Sequence, residues 1–246
     1  MESIVLQKYI ASSGYCSRRQ AEELIREKRV SVNGRPAELG QRVVAGDQVM
    51  VGRDKIGSSD KKIYIKLNKP RDYVCTSREF KDELNIFDLL PKTINARLFV
   101  VGRLDKNSRG LLILTNDGDL AQKISHPKYE SEKVYKVLVK TEDRNDLLLP
   151  QAEKIIDRFK GGVDIGEDDG VVWAKKVSYL GYNRFVITLT QGKKRQIRRM
   201  FEAVGLKVSD LVRTEISGIL LGQLDEGRWE YMTEAEIKRL EGKKNI

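Results

Sequence analysis

The chain has 246 residues, of which 40% are hydrophobic and 33% charged, so it is long enough to bury a core in one or two domains. No apolar run approaches the roughly 18 to 20 residues of a membrane span, and the N-terminus lacks the features of a secretory signal, which favours a cytoplasmic protein without membrane contact. Two cysteines and one histidine are too few for a disulfide framework or a Cys/His metal site, whereas a net charge of +10 favours an anionic partner.

Residues 1–52 form the first predicted domain. Apolar residues predict a short helix from about Leu6 that ends at Gly14. Ser17 and Gln20 have the spacing of a capping box, which predicts a second helix that runs to about Lys28. Short strands are predicted at residues 30–32 and 48–51, with an Asn-Gly turn at residues 33–34.

Residues 53–62, RDKIGSSDKK, are polar and aperiodic, which predicts a flexible linker before a domain at residues 63–246. In this second domain the alternation of apolar residues predicts half-buried antiparallel strands. The fold class is therefore α+β, with a small N-terminal α/β domain linked to a mainly antiparallel, mixed sheet flanked by helices. The predicted strands are 63–67, 111–114, 134–139 and 184–190, and the predicted helices are 145–157, 194–204 and 234–240.

Basic residues at the start of the second predicted helix indicate one possible anion site. Arg18 and Arg19 lie in the first helical turn, where the helix dipole disfavours positive charge. A phosphate bound there would accept hydrogen bonds from the free backbone amides and from both arginines, with Lys8 nearby in the same domain. The alternative is that these side chains are simply solvated at the surface.

A second basic cluster lies between residues 192 and 214, which include seven basic and two acidic residues. On a helix, apolar residues of this segment share one face, and Arg195, Arg198 and Arg199 lie together on the opposite face. The alternative is a solvated basic face that Glu202 partly neutralises.

The third feature is the segment GRLDKNSRG at residues 102–110, which is followed by an apolar strand. It places Asp105 in a Gly-rich loop between two strands. Without further information, a carboxylate at such a position is most simply a turn-forming residue.

Four segments together resemble the motifs of bacterial ribosomal RNA pseudouridine synthases of the small-subunit and single-site large-subunit kind. The N-terminal segment is similar to the small RNA-binding domain named αL that these enzymes share with a ribosomal protein and tyrosyl-tRNA synthetases. The segments are VGRLDKNSRGLLILTNDG at 101–118, EKVYKV at 132–137, QGKKRQIRRM at 191–200, and the N-terminal KYIASSGYCSRR at 8–19 with VSVNG at 30–34.

This resemblance implies a cofactor-independent isomerase that turns uridine into pseudouridine. It implies that Asp105 is the catalytic carboxylate, that Tyr135 packs on the target base and that Arg198 is the guanidinium that keeps the carboxylate ionised. Arg103 resembles the side chain that fills the space left by a flipped base. The remaining basic residues, expected to contact RNA, are Lys8, Arg18, Arg19, Lys193, Lys194, Arg195 and Arg199. His126 is expected to be structural, and no metal or other cofactor is expected.

The expected partner is ribosomal RNA or a ribosomal precursor particle, and the protein is expected to be a monomer. Large-subunit RNA is preferred to small-subunit RNA on overall likeness, while the target uridine, and attack on the base or on the ribose, stay open. One alternative is a non-catalytic RNA-binding factor for ribosome assembly, in which Asp105 only forms a turn. Another is a metal-dependent nuclease that uses Asp105, Asp117 and Asp119.

Overall fold

A computed structural model describes residues 3–57, 61–76, 81–94, 96–141, 145–166 and 169–242. The chain forms two compact units. The first comprises the described parts of Met1–Ile63, Thr93–Phe99 and Thr115–Gly118, and the second those of Tyr64–Lys92, Val100–Leu114 and Asp119–Ile246.

The first unit contains two short helices and two small sheets. Ser17 and Gln20 form the predicted capping box at the start of the second helix, which ends at Arg26. The strand at residues 30–32 pairs with the strand at 49–51 and with the strand that follows the Asn-Gly turn. The elements are β1 (Ile4–Val5), α1 (Leu6–Ser12), α2 (Arg18–Arg26), β2 (Val30–Val32), β3 (Arg35–Pro36), β4 (Arg42–Val43), β5 (Val49–Val51) and β6 (Asp54–Ile56), with sheet orders β1-β4 and β3-β2-β5-β6.

The predicted linker is in part ordered structure. Asp54–Ile56 pair with β5, because Arg53 and its neighbour Gly52 make the turn of a hairpin. Further on, the Asn116 side chain donates to the Lys61 carbonyl and accepts from the Ile63 amide. The prediction that a flexible segment starts at Arg53 is therefore wrong. Residues 58–60 of the predicted linker lie outside the described residues.

The second part of the chain is built on one large mixed sheet, which confirms the predicted fold class. Among the described residues its strand order is β13-β14-β10-β15-β9-β7-β17, with β16 beside β15 and β8 beside β9. The strands of this sheet are β7 (Tyr64–Lys69), β8 (Phe99–Val101), β9 (Arg109–Thr115), β10 (Lys133–Lys140), β13 (Lys176–Tyr179), β14 (Arg184–Leu189), β15 (Lys207–Ile216), β16 (Ile219–Leu220) and β17 (Trp229–Tyr231). A separate two-stranded sheet consists of β11 (Val163–Asp164) and β12 (Val171–Val172). The helices are α3 (Gly118–Ser125), α4 (Leu149–Gly161), α5 (Gln196–Glu202) and α6 (Glu234–Glu241), with 3₁₀ turns at Ile86–Leu89 and Pro127–Tyr129.

In this part of the chain the sequence pattern located four strands and three helices but misplaced some of their ends. Helix α4 begins at Leu149 rather than at residue 145, because Pro150 is tolerated only in a first turn. Helix α5 begins at Gln196 rather than at residue 194, because Arg195 adopts a left-handed conformation with φ of 52°. Strands β8, β11, β12, β13, β15, β16 and β17 and helix α3 were not predicted. None of the helices in the described ranges has the length and hydropathy of a membrane span.

Strands β10 and β14 are half-buried, as predicted. The side chains of β10 alternate between buried and more exposed along its length, and β10 pairs antiparallel with both β14 and β15. Its buried face packs toward an aromatic cluster in which Phe201 of α5 contacts Phe159 of α4 and Phe185 of β14. The opposite, more exposed face of β10 carries Lys136.

A close approach of two backbones joins β9 to β15. These strands pair in parallel, with Gly110 opposite Arg213. A Cβ atom on Gly110 would lie 2.3 Å from the Arg213 carbonyl oxygen, and the φ of Gly110 is +106°. Only glycine fits this position, because any side chain would collide with backbone and adopt a disfavoured conformation.

We expect Gly110→Ala to lower the free energy of unfolding by at least about 3 kcal/mol, because the methyl group forces β9 away from β15. Urea denaturation would measure this loss. The matched control is Gly161→Ala, where φ is ordinary and no atom lies within 4 Å of the added carbon, so stability should stay the same or rise slightly. Equal stability of the two variants would contradict the proposed close approach.

Candidate active site

Asp105 lies in a loop between β8 and β9, as the sequence predicted. The loop comprises residues 102–108, and Asp105 is half-buried within it. The Ser108 amide donates to the Asp105 carbonyl oxygen at 3.0 Å, which closes a turn around the aspartate. The carboxylate is thus carried by a short, hydrogen-bonded turn that two strands of the central sheet hold at both ends.

Arg213 holds the first half of this loop. This residue of β15 is only 1% exposed. Its guanidinium donates to the carbonyl oxygen of Gly102 at 2.6 Å, to that of Arg103 at 3.5 Å and to that of Leu111 at 2.8 Å. A buried guanidinium therefore bonds the backbone on both sides of Asp105.

Lys69 and Arg198 hold the second half of the loop. The Lys69 ammonium, at the end of β7, donates to the carbonyl oxygens of Lys106 at 3.0 Å and of Ser108 at 2.7 Å. The Arg198 guanidinium, on α5, donates to the Asn107 carbonyl oxygen at 3.1 Å. Three buried cations from three separate elements thus converge on the carbonyl groups of one loop, and we call Lys69, Arg198 and Arg213 the cationic clamp.

Burial affects the titration of two members of the clamp. Loss of water contact lowers the pKa of Lys69 to about 8, although nearby groups that include Cys75 and Asp105 oppose this change. Burial also lowers the pKa of Arg198, and Arg195 adds to the effect while the negative charge of Asp105 opposes it. The carboxylate therefore acts electrostatically on two of the cations that position its loop.

The loop lines a cleft of about 640 Å³, which is the size of a typical small-ligand site. Tyr135 of β10 lines the same cleft and is 8% exposed. In the sheet it is paired with Ile187 of β14 and Arg213 of β15. The structure therefore brings Asp105 and Tyr135 to one cavity, with these basic residues also lining it: Arg103, Lys133, Lys193, Lys194 and Arg195.

The structure gives Arg198 a different position from the one expected. Instead of hydrogen-bonding the Asp105 carboxylate, its guanidinium bonds the loop at Asn107 and Ser108 and the Val208 carbonyl oxygen. Arg198 is absent from the described residues that line the cleft. Arg198 therefore holds the backbone of the loop rather than the Asp105 carboxylate.

The Arg199 guanidinium, expected to contact phosphate, is bonded within the protein instead. Its guanidinium donates to the Ile165 carbonyl oxygen at 2.6 Å and pairs with the Asp169 carboxylate at 2.6 Å. Arg198 and Arg199 are both 8% exposed. The prediction that three arginines share an exposed face of α5 is therefore wrong, because Gln196–Phe201 are all buried and, of the three arginines, only Arg195, which precedes the helix, is exposed.

The basic residues that remain available to an anion lie at the rim of the cleft. Lys193, Lys194, Arg195 and Arg103 are all exposed. Lys193 approaches the Asp169 carboxylate at 3.4 Å, so part of its charge is already compensated. We call these four residues the basic rim.

The N-terminal candidates belong to the first unit. Arg18 and Arg19 are exposed in the first turn of α2, and Lys8 is half-buried on α1. This is the arrangement predicted from the sequence, and their contact with RNA stays a prediction.

The aspartates of the nuclease alternative do not form a metal site. Across the described ranges, no group of three or more Asp, Glu, His or Cys side chains is placed to hold a metal ion. His126 caps a 3₁₀ turn by accepting from the Lys128 amide at 3.2 Å, which is consistent with the structural role expected for it.

Comparisons with known families separate the remaining alternatives. Residues 63–203 match the family described as RNA pseudouridylate synthase. The chain belongs to this family. Residues 6–49 match the S4 domain, so the two matches together cover both parts of the chain.

Known relatives resemble this pseudouridylate synthase over almost its whole length. The ribosomal large subunit pseudouridine synthase B of Bacillus subtilis (strain 168) is 37% identical over 96% of this chain and 94% of its own. The dual-specificity RNA pseudouridine synthase RluF of Escherichia coli (strain K12) is 39% identical over 96% of this chain and 77% of its own. A crystal structure of a pseudouridylate synthase matches with a TM-score of 0.69 and 27% identity, covering 96% of this chain and 99% of that one.

Sequence reasoning missed three buried cations of this synthase. Lys133 precedes Tyr135 by two residues, so the alternation of β10 already placed both on one face. Arg213 likewise follows the buried Leu211 by two residues, which places both on one face of β15, but that strand was not predicted. Nothing in the sequence near Lys69 indicates a contact with residues 106 and 108.

Asp210 ties the start of β9 to β15 next to the clamp. Its carboxylate accepts two hydrogen bonds from Arg109, at 2.6 and 3.1 Å, and one from Arg71 at 2.6 Å. The hydrogen bonds from Arg109, aided by those from Arg71, lower the pKa of Asp210 to about 2 against the opposing effect of burial. Because the folded-state pKa lies below the unfolded one, this stabilisation is present above about pH 4 and is lost as the pH falls toward 2.

We expect Asp210→Asn to lower the free energy of unfolding by about 2 kcal/mol at pH 7, since only the charged form pairs strongly with both arginines. Urea denaturation between pH 7 and pH 3 should show the difference from wild type shrinking below pH 4. The control is Glu234→Gln, whose side chain is 92% exposed, and it should show little effect at any pH. A constant difference for Asp210→Asn across this range would contradict the ion-pair explanation.

Proposed function

We propose that this protein isomerises uridine to pseudouridine in large-subunit ribosomal RNA, with Asp105 as the catalytic carboxylate. The observation that carries the proposal is the placement of Asp105 on a clamped loop that lines a nucleotide-sized cleft together with Tyr135. The names of the relatives support the reaction and the large-subunit RNA. The proposal extends to a monomeric, cytoplasmic enzyme that acts on ribosomal RNA or on a precursor particle.

The reaction requires a carboxylate and a confined base, but no exchange of atoms with another molecule. The bond between N1 of the base and C1′ of the ribose breaks, the base rotates, and a bond from C5 to C1′ forms. The proton on C5 is lost and N1 gains one, so the product is an isomer. The Asp105 carboxylate would add to the base or to C1′ and leave again once the new bond exists.

The residues around Asp105 divide the other tasks. A uridine inside an RNA helix must first be extruded, which costs a few kcal/mol. We propose that Arg103, exposed at the rim, fills the space that the base leaves. Tyr135, on the floor of the cleft, would then pack against the flipped base. Within this proposal Arg198 is a positioning residue that holds the backbone of the Asp105 loop. Its positive charge also interacts favourably with the Asp105 carboxylate.

The S4 domain and the basic rim would supply affinity rather than chemistry. Phosphate contacts from Lys and Arg release counterions and are sensitive to salt. We propose that Lys8, Arg18 and Arg19 contact the RNA backbone through the S4 domain, and that Lys193, Lys194 and Arg195 do so at the cleft. Arg199 is left out of this group because its donors are bonded within the protein.

We expect Asp105→Asn to reduce pseudouridine formation on the order of 10⁴-fold or more, because an amide is not a nucleophile, with RNA affinity nearly unchanged. Release of tritium from RNA that carries [5-³H]uridine would report loss of the C5 hydrogen. The control is Asp225→Asn, at an exposed position before β17, which should keep full activity. An active Asp105→Asn enzyme would reject the proposed role, and an inactive wild type that still binds RNA would support the assembly-factor alternative.

We expect the double variant Arg18→Ala/Arg19→Ala to bind RNA more weakly and to lower the slope of log affinity against log salt concentration by about 1 to 2, because one or two phosphates are no longer neutralised. Filter binding over a range of salt concentrations would measure the slope. Lys238→Ala, at an exposed site on α6 paired with Glu234, removes a positive charge elsewhere and should leave the slope unchanged. An unaltered slope in the double variant would show that this helix start does not contact the backbone.

A further inference from the structure

Lys133 is a buried cation on the floor of the cleft that the clamp does not use. It lies on β10, is 8% exposed and lines the cleft with Asp105 and Tyr135. Its ammonium donates to the Ser131 carbonyl oxygen at 3.0 Å, which uses one of three donors. The end of its side chain lies beside the start of the catalytic loop, since a Cβ on Gly102 would be 3.8 Å from the Lys133 Cε.

Within the part of the chain that the structure describes, no carboxylate forms an ion pair with this ammonium. The charged group that acts on it from β15 is Arg213, a second cation. On its own face of β10 the other titratable group is Tyr135, and the loop contributes Arg103, Asp105 and Lys106 to the same cleft. Glu83 also lines the cleft and pairs with Lys106. Burial, with Arg213 adding to it, lowers the pKa of Lys133 to about 8. A methionine of similar length would fill the same space without this penalty, so packing does not explain the lysine.

Besides Arg213, which belongs to the clamp, and Lys106, which pairs with Glu83, two classes of cation line the cleft. Those of the basic rim are exposed, which suits hydrated phosphate groups of an RNA backbone. Lys133 is desolvated on the floor, so it suits the part of a nucleotide that enters deepest, which is the base. Side chains two residues apart on a strand are separated by about 7 Å, so a uracil ring against Tyr135 lies within reach of Lys133.

We propose that Lys133 donates a hydrogen bond to a carbonyl oxygen of the flipped uracil and stabilises the negative charge that develops on the ring. This inference rests on the proposed function. When the bond from N1 to C1′ breaks, its electron pair passes to the base, where N1, O2 and O4 share the charge. When the carboxylate adds to the ring instead, the charge also reaches a ring oxygen. Lys133 stays protonated throughout, so it changes the energy of the charged state and not the balance of atoms.

The test compares Lys133→Met with Lys136→Met. Lys136 lies on the same strand but on the opposite, exposed face, so it is a matched control. Single-turnover rates of tritium release at saturating enzyme would report the chemical step, and filter binding would report RNA affinity. We expect Lys133→Met to slow the step about 10²-fold to 10³-fold with affinity within about twofold of wild type. Lys136→Met should match wild type in both.

Lys133→Arg keeps the positive charge and should retain at least about a tenth of the wild-type rate. Thermal unfolding should show Lys133→Met to be as stable as wild type or more so, because a buried charge is removed.

Equally slow Lys133→Met and Lys133→Arg variants, or a full rate in Lys133→Met, would overturn the proposal. Lost affinity with an unchanged saturated rate would instead assign Lys133 to a phosphate. An inactive wild type would reject the proposed function itself. That result can be told apart from the outcomes that overturn only the role of Lys133, because those require an active wild type.

Discussion

The hydrogen bonds between three buried cations and the carbonyl groups of one loop are the constraint on which the site depends. Lys69, Arg198 and Arg213 come from β7, α5 and β15, and each bonds the loop that carries Asp105. A short loop with many polar backbone groups would otherwise be mobile, and burying the cations without partners would be costly. The cations and the loop carbonyls therefore satisfy each other's hydrogen-bonding needs. The Asp105 carboxylate is held in place by these bonds although it forms none of them itself.

The central sheet explains why these cations meet. The parallel pair of β9 and β15 places Gly110 against Arg213, and the close backbone contact leaves no space for a side chain. Asp210, three residues earlier on β15, pairs with Arg109 at the start of β9. Core packing and the position of the Asp105 loop thus depend on the same strands, so changes that loosen the sheet also move the loop.

The sequence predicted the α+β class, the capping box at Ser17 and the loop around Asp105 because each depends on local spacing. It also placed Tyr135 on the buried face of β10. It failed where the outcome depends on contacts distant in the chain. Arg198 and Arg199 have the sequence pattern of an exposed helix face. Both are buried, because Arg198 donates to the Asn107 carbonyl oxygen and Arg199 to the Ile165 carbonyl oxygen. The resemblance identified the chemistry, whereas the clamp required the three-dimensional structure.

The bonds of the clamp also fix the order in which a functional molecule can arise. Arg198 and Arg213 lie 91 and 111 residues beyond the carbonyl groups that they bond. A nascent chain that ends between residues 135 and 198 therefore contains both Asp105 and Tyr135 but neither arginine. Long-range contacts of this kind form late, once the distant segment has been synthesised. Fragments that end before β15 lack Arg213 and therefore cannot complete the clamp.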